Sequence, residues 1–136
     1  MSGRDLAGKR ILVTGAGGGI GRAIVIMALA RGARVLAVDL DADLLAETGE
    51  LARIGVAAPA IAARVADVTD TDAVSAAVRH AEDVVGIPDV VVNAVGAVVT
   101  KPVLDCTIDS GVASQDHRAV VRLLRVTVNP GTTTVW

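Results

Sequence analysis

The run Val13-Thr14-Gly15-Ala16-Gly17-Gly18-Gly19-Ile20-Gly21 constrains this chain more than any other stretch. An apolar strand signal, Arg10-Ile11-Leu12-Val13, leads into it, and a helical pattern from Ile20 to Ala30 leads out. A strand, a glycine-rich turn and a helix N-terminus in that order make an anion site. Backbone N–H groups point outward, the helix dipole adds partial positive charge, and glycines without Cβ atoms let a phosphate approach closely. The spacing is Thr14-Gly15-x-x-x-Gly19-x-Gly21. It is not G-x-G-x-x-G, whose last glycine would fall on Ile20, and no Gly-Lys-Ser/Thr follows to make a P-loop.

The bulk properties narrow the class of protein. The chain has 136 residues, 52% of them hydrophobic, enough for one domain with a sizeable core. A net charge of −2 supplies no basic field for nucleic acid or an anionic membrane surface. The single cysteine, Cys106, excludes an internal disulfide framework and a cysteine metal cluster. The polar lead from Met1 to Lys9 lacks the apolar centre of a signal peptide, and no apolar run reaches the ~20 residues of a membrane span. A cytoplasmic protein with no bound metal is the expectation. The chain has no Tyr and no Phe; its one aromatic residue is Trp136. Chemistry that needs a phenol is closed to this chain alone.

The rest of the sequence alternates short apolar runs with helical patterns. A first strand is predicted near 10–14 and a helix from Ile20 to Arg31, ended by Gly32. Arg34–Val38 reads as a second strand ending on Asp39. Asp41 or Asp43 then caps a helix with Leu44, Leu45, Thr48, Leu51 and Ala52 on one face and Gly55 at its end. Ala60–Ala66 reads as a third strand. Thr69 or Asp70 caps a third helix with a stripe of Ala73, Val74, Ala77, Val78 and Ala81, stopped by Gly86 and Pro88. Asp89–Val92 is a fourth strand. Continuous apolar runs suit strands buried on both faces of a parallel sheet. The alternation predicts an α/β fold, a doubly wound parallel sheet of Rossmann type with about four strands. Beyond Gly96 the pattern weakens, and Val120–Val128 fits a helix or a strand equally.

Ligands of open α/β sheets bind outside the carboxyl ends of the strands. Here those ends carry the glycine turn, Asp39, Asp67, and Asn93 with Gly96. Asp39 lies about 20 residues past the turn, where a carboxylate can accept hydrogen bonds from both hydroxyls of an adenosine ribose. It would repel a 2′-phosphate, and the next residue, Leu40, brings no compensating charge, so NAD is favoured over NADP. The competing role for Asp39 is a helix cap, which Asp41 and Asp43 fill equally well.

Taken together, Thr14-Gly15-x-x-x-Gly19-Ile20-Gly21, Asp39, Asp67-Val68 and Asn93-Ala94-Val95-Gly96 resemble the N-terminal half of the short-chain dehydrogenase/reductase family over about residues 5–105. The resemblance implies a dinucleotide site. The pyrophosphate would lie along Gly15, Gly17, Gly18, Gly19 and Ile20 at the turn closed by Gly21. Asp39 and Leu40 would meet the adenosine ribose, and Asp67 and Val68 the adenine. Asn93, Ala94 and Gly96 would lie along the ribose side, with Asn93 also holding the strand. It divides the chain into a dinucleotide-binding unit, 1–106, and a C-terminal segment, 107–136, without family motifs.

The sequence departs from the family in two places. The fourth-strand motif is usually Asn-Asn-Ala-Gly, so the small residue here is displaced by one position. The family transfers hydride between a nicotinamide and a carbonyl or alcohol, using a Ser and a Tyr-x-x-x-Lys, and this sequence has no tyrosine. Asn129 lies too far along to take the family's further asparagine role. No catalytic residue is assigned. His80 reads as a helix surface residue; His117 beside Asp116, near Ser110 and Ser114, lacks an oxyanion turn. Cys106 reads as a small apolar filler, and Arg118, Arg122 and Arg125 as a solvated face.

With strands ordered 3-2-1-4, the valine-rich fourth strand would be an open edge, inviting pairing with another chain or a homo-oligomer. Val120–Val128 is a candidate to fold back over it. Family motifs end near 105–108, the pattern a frameshifted or truncated gene would give; the other coding frames should then restore Tyr-x-x-x-Lys. The reading is thus the NAD(H)-binding portion of an oxidoreductase, with a non-enzymatic nucleotide-binding or interaction module as the alternative.

Overall fold

A computed structural model describes residues 5–95 and the backbone of 133–135. The elements run β1 (Arg10–Thr14), α1 (Gly19–Ala30), β2 (Arg34–Asp39), α2 (Ala42–Gly55), β3 (Ile61–Val65), α3 (Thr71–Val84), β4 (Val90–Asn93) and β5 (Thr133–Val135). They form one parallel sheet in the order β3-β2-β1-β4-β5.

Period-two alternation along the central strands builds two cores. Ile11, Val13, Val35, Ala37 and Val92 pack with Val25, Ala28 and Leu29 of α1 and Leu45 and Ala52 of α2. Leu12, Leu36, Val38 and Val91 point the other way and pack with Val74, Ala77, Val78 and Ala81 of α3. Each fully buried Val or Leu contributes about 1.5–3 kcal/mol relative to exposure. With helices on both faces, the central strands have no solvent face, which explains their unbroken apolar runs.

The helix ends follow the local chemistry. Asp41 caps α2, its Oδ1 accepting from the N–H groups of Asp43 (2.9 Å) and Leu44 (3.0 Å). Asp70 caps α3 in the same way, accepting from Asp72 at 2.9 Å and Ala73 at 3.3 Å. Gly32, at φ +88°, ends the turn after α1.

At the amino ends of the strands, Arg10 clamps β1 to the residue before β4. Its Nε donates to Asp89 Oδ2 at 3.0 Å, its Nη2 to Oδ1 at 2.7 Å and its backbone N–H to Oδ2 at 2.9 Å. The guanidinium hydrogen bonds, followed by the backbone N–H, hold the Asp89 carboxyl down at about 2.

The fourth strand is not an open edge, contrary to the expectation from sequence. β5 lies beside it in parallel, pairing Val90 with Thr133, Val91 with Thr134 and Val92 with Val135. The strand ladder satisfies the backbone of β4 with a β-branched run 40 residues or so away in sequence, a long-range pairing that carries no local signal. The expectation for Val120–Val128 falls outside the described residues.

Candidate functional site

The carboxyl ends of β1 to β4 open onto a cleft of about 660 Å³. Gly15, Gly18, Gly19 and Ile20 form one wall; Asp39, Leu40 and Leu44, Ala66 to Thr69, and Ala94 and Val95 form the rest. Nine of the residues singled out from sequence therefore meet in one place: Gly15, Gly18, Gly19, Ile20, Asp39, Leu40, Asp67, Val68 and Ala94.

The turn is shaped by close contacts. Gly15 has φ +68°, and a Cβ there would sit 2.6 Å from the carbonyl oxygen of Ala94. A Cβ on Gly21 would fall on the carbonyl of Gly15. The turn can therefore lie against the end of β4 and the start of α1 only with glycine at both positions. Backbone bonds pin its flanks: Ala16 N–H donates to Val38 O and Ala94 N–H to Thr14 O, each at 3.1 Å.

The first turn of α1 differs from those of α2 and α3. Its N-cap is Gly18, in extended conformation, with no side-chain cap and no acid in the first turn. The helix therefore presents its dipole and its first N–H groups to the cleft without an internal counter-charge.

Asp39 faces this turn. Its Oδ2 accepts from Gly17 N–H at 2.9 Å and its Oδ1 from Asp41 N–H at 3.1 Å. Two backbone donors fix the carboxylate while leaving acceptor capacity on both oxygens. Asp39 is thus not the cap of α2; Asp41 is. Asp67 is held by its neighbour, Oδ1 accepting from Thr69 Oγ1 at 2.7 Å and Thr69 N–H at 2.9 Å. These hydrogen bonds, the hydroxyl first, lower the Asp67 carboxyl below the ordinary range and keep it ionised.

Other singled-out residues lie off the cleft wall. Gly17 offers its N–H to Asp39, and Gly21 packs beneath Gly15. Asn93 turns back into the sheet, where Thr14 Oγ1 donates to its Oδ1 at 3.1 Å. Its Nδ2 is buried without a partner among the described residues. Gly96 lies outside the described residues, as do Cys106, Ser110, Ser114, Asp116, His117, Arg118, Arg122, Arg125 and Asn129. His80 is half-buried on α3, away from the cleft.

Sequence reasoning did not pick out Leu44, Ala66, Thr69 and Val95 as cleft residues. Thr69 had a usable signal, since Asp-x-Thr readily forms a local side-chain turn. Leu44 had none, because its place depends on how α2 packs. Among the described residues, no three His, Cys, Asp or Glu side chains gather as a metal site would require. No helix among them is long and apolar enough to cross a membrane.

A doubly wound parallel sheet with a glycine turn, an uncapped helix and a carboxylate at the next strand end defines a nucleotide-binding architecture. The short chain dehydrogenase family model matches residues 9–126. The chain belongs to this family. The matched stretch takes in all four strand-end motifs and runs on to residue 126. The chain is 35% identical to L-xylulose reductase of Cavia porcellus over 128 residues, 89% of this chain and 46% of the relative. It is 38% identical to 2-keto-3-deoxy-L-fuconate dehydrogenase of Xanthomonas campestris pv. campestris over 101 residues, 74% of this chain and 30% of the relative. A short chain dehydrogenase structure from Mycobacterium smegmatis superposes with a TM-score of 0.81 at 33% identity, covering 92% of this chain and 54% of that one. The chain thus spans less than half the length of these two curated relatives. Members of the family bind nicotinamide dinucleotides.

Proposed function

We propose that this chain is the NAD(H)-binding portion of a short-chain dehydrogenase/reductase-type oxidoreductase and acts in the cytoplasm. The observation that carries this reading is the uncapped N-terminus of α1 opening on the cleft with Asp39 held beside its glycine turn. The residues present fit a dinucleotide. The cramped glycines bring backbone close to the cleft, and the first turn of α1 supplies donors for a pyrophosphate. Asp39, fixed by two backbone N–H groups, keeps lone pairs for ribose hydroxyls and sets a negative charge against a 2′-phosphate. Gly15, Gly18, Gly19 and Ile20 would hold the phosphates, Asp39 and Leu40 the ribose, Asp67 and Val68 the adenine, and Ala94 the far side. Gly17, Gly21 and Asn93 would support them from behind.

When bound, the nicotinamide would supply hydride transfer to or from a carbonyl or alcohol carbon. This sequence has no tyrosine to give or take the accompanying proton, so the chain alone binds without turning over. The same absence favours, as a second reading, a nucleotide-binding module without activity of its own.

Titration of the purified chain with NADH and NADPH, followed by nucleotide fluorescence, tests the site. Saturable NADH binding, weaker NADPH binding and loss of that preference in Asp39→Ala are expected. A folded chain that binds neither nucleotide would refute the reading. Assay against carbonyl substrates with NADH should give no rate above background, and robust turnover would overturn the claim of incompetence.

A further inference from the structure

Behind the glycine turn lies a polar network that the cleft residues do not include. Arg22, on the first turn of α1, runs back under the turn with its side chain only 20% exposed. Its Nη2 donates to the carbonyl oxygen of Gly17 at 2.7 Å and to Glu47 Oε2 at 3.0 Å. Its Nε donates to Thr48 Oγ1 at 3.1 Å. Thr48 is fully buried, and its single hydroxyl proton is shared between the carbonyls of Ala16 and Leu44, each at 3.0 Å.

A threonine in a helix can satisfy itself through the carbonyl four residues back, here Leu44. The contacts to Ala16 and Arg22 go beyond that need. They also fall on consecutive residues of the turn, the Ala16 and Gly17 carbonyls. Adjacent peptide planes in a turn cannot be oriented independently. Fixing these two carbonyls toward α2 helps aim the N–H groups that follow, at Gly18, Gly19 and Ile20, toward the cleft. Glu47 largely offsets the guanidinium charge, so the contribution is one of geometry and not of field.

We infer that Arg22 and Thr48 are positioning residues: they brace the glycine turn from behind and set the aim of its phosphate-binding N–H groups. The inference deepens the proposed dinucleotide reading and rests on it for its ligand arm. Charge-assisted hydrogen bonds that preorganise a site are strong, and their loss here weakens phosphate binding about tenfold.

The test uses Arg22→Met, which keeps the stem and removes the donors, Thr48→Val, which keeps the shape and removes the hydroxyl, and Arg22→Lys. Dissociation constants are measured for NADH, ADP and adenosine, with amide hydrogen exchange of the ligand-free chain in parallel. Arg22→Met and Thr48→Val should weaken NADH and ADP about tenfold and leave adenosine within about twofold, and Arg22→Lys should recover part of the loss. Exchange at Gly17 and its neighbours should quicken in both variants while the sheet amides stay protected. Equal weakening of all three ligands, or unchanged affinity with unchanged exchange, would overturn the inference. If the parent chain binds no NADH, the dinucleotide reading fails, and the exchange arm still decides whether Arg22 and Thr48 brace the turn. Should Arg22→Met not fold, Thr48→Val carries the same comparison.

Discussion

Single residues in the glycine turn carry unequal burdens. Gly15 combines a positive φ with a backbone contact that any Cβ would violate, whereas a Cβ on Gly18 would meet nothing within 4 Å. Gly15→Ala should therefore destabilise the chain by about 2 kcal/mol or more, and Gly18→Ala by less than about 1 kcal/mol. Denaturant midpoints of the two variants check this contrast. Asp89 gives a prediction in pH. Its carboxyl is held at about 2, below its ordinary value of 3.8, so its pairing with Arg10 stabilises the fold fully above about pH 4 and fades as pH falls toward 2. The pair is partly exposed, so solvent and salt screen it and its share of the stability is small. Asp89→Asn should lower stability at neutral pH and flatten the acid limb; a parallel shift at every pH would contradict that assignment.

The helices show how elements divide between holding the fold and serving the site. The first turns of α2 and α3 are closed by Asp41 and Asp70, and that of α1 is open. Gly18→Asp, at an extended and uncrowded N-cap, would close it with a side chain. Thermal stability should hold or rise by a few tenths of a kcal/mol while NADH affinity falls at least about tenfold, because an anion then occupies the dipole end. Calorimetry and titration on the same preparation separate the two effects, and unchanged affinity would count against the helix terminus as the phosphate site. Asp41→Ala is the control: it should cost about 1 kcal/mol with little change in affinity.

For the molecule as a whole, the sheet and its cleft were largely legible because their signals are local. Apolar runs, glycines and capping acids announced β1 to β4 and α1 to α3 within a residue or two of their observed bounds. Polar residues at strand ends announced the cleft. What stayed hidden depends on contacts distant in sequence. The pairing of Thr133–Val135 with β4 moved the open edge, and the packing of α2 on α1 brought Thr48 and Leu44 to the turn. If the four strand ends act as one dinucleotide site, amide chemical-shift mapping with NADH will report it. Shifts are expected to cluster at 15–20, 39–40, 67–69 and 94–95, the turn and the three strand ends that line the cleft. Binding with shifts confined elsewhere, or no saturable shift at all in a folded chain, would contradict it.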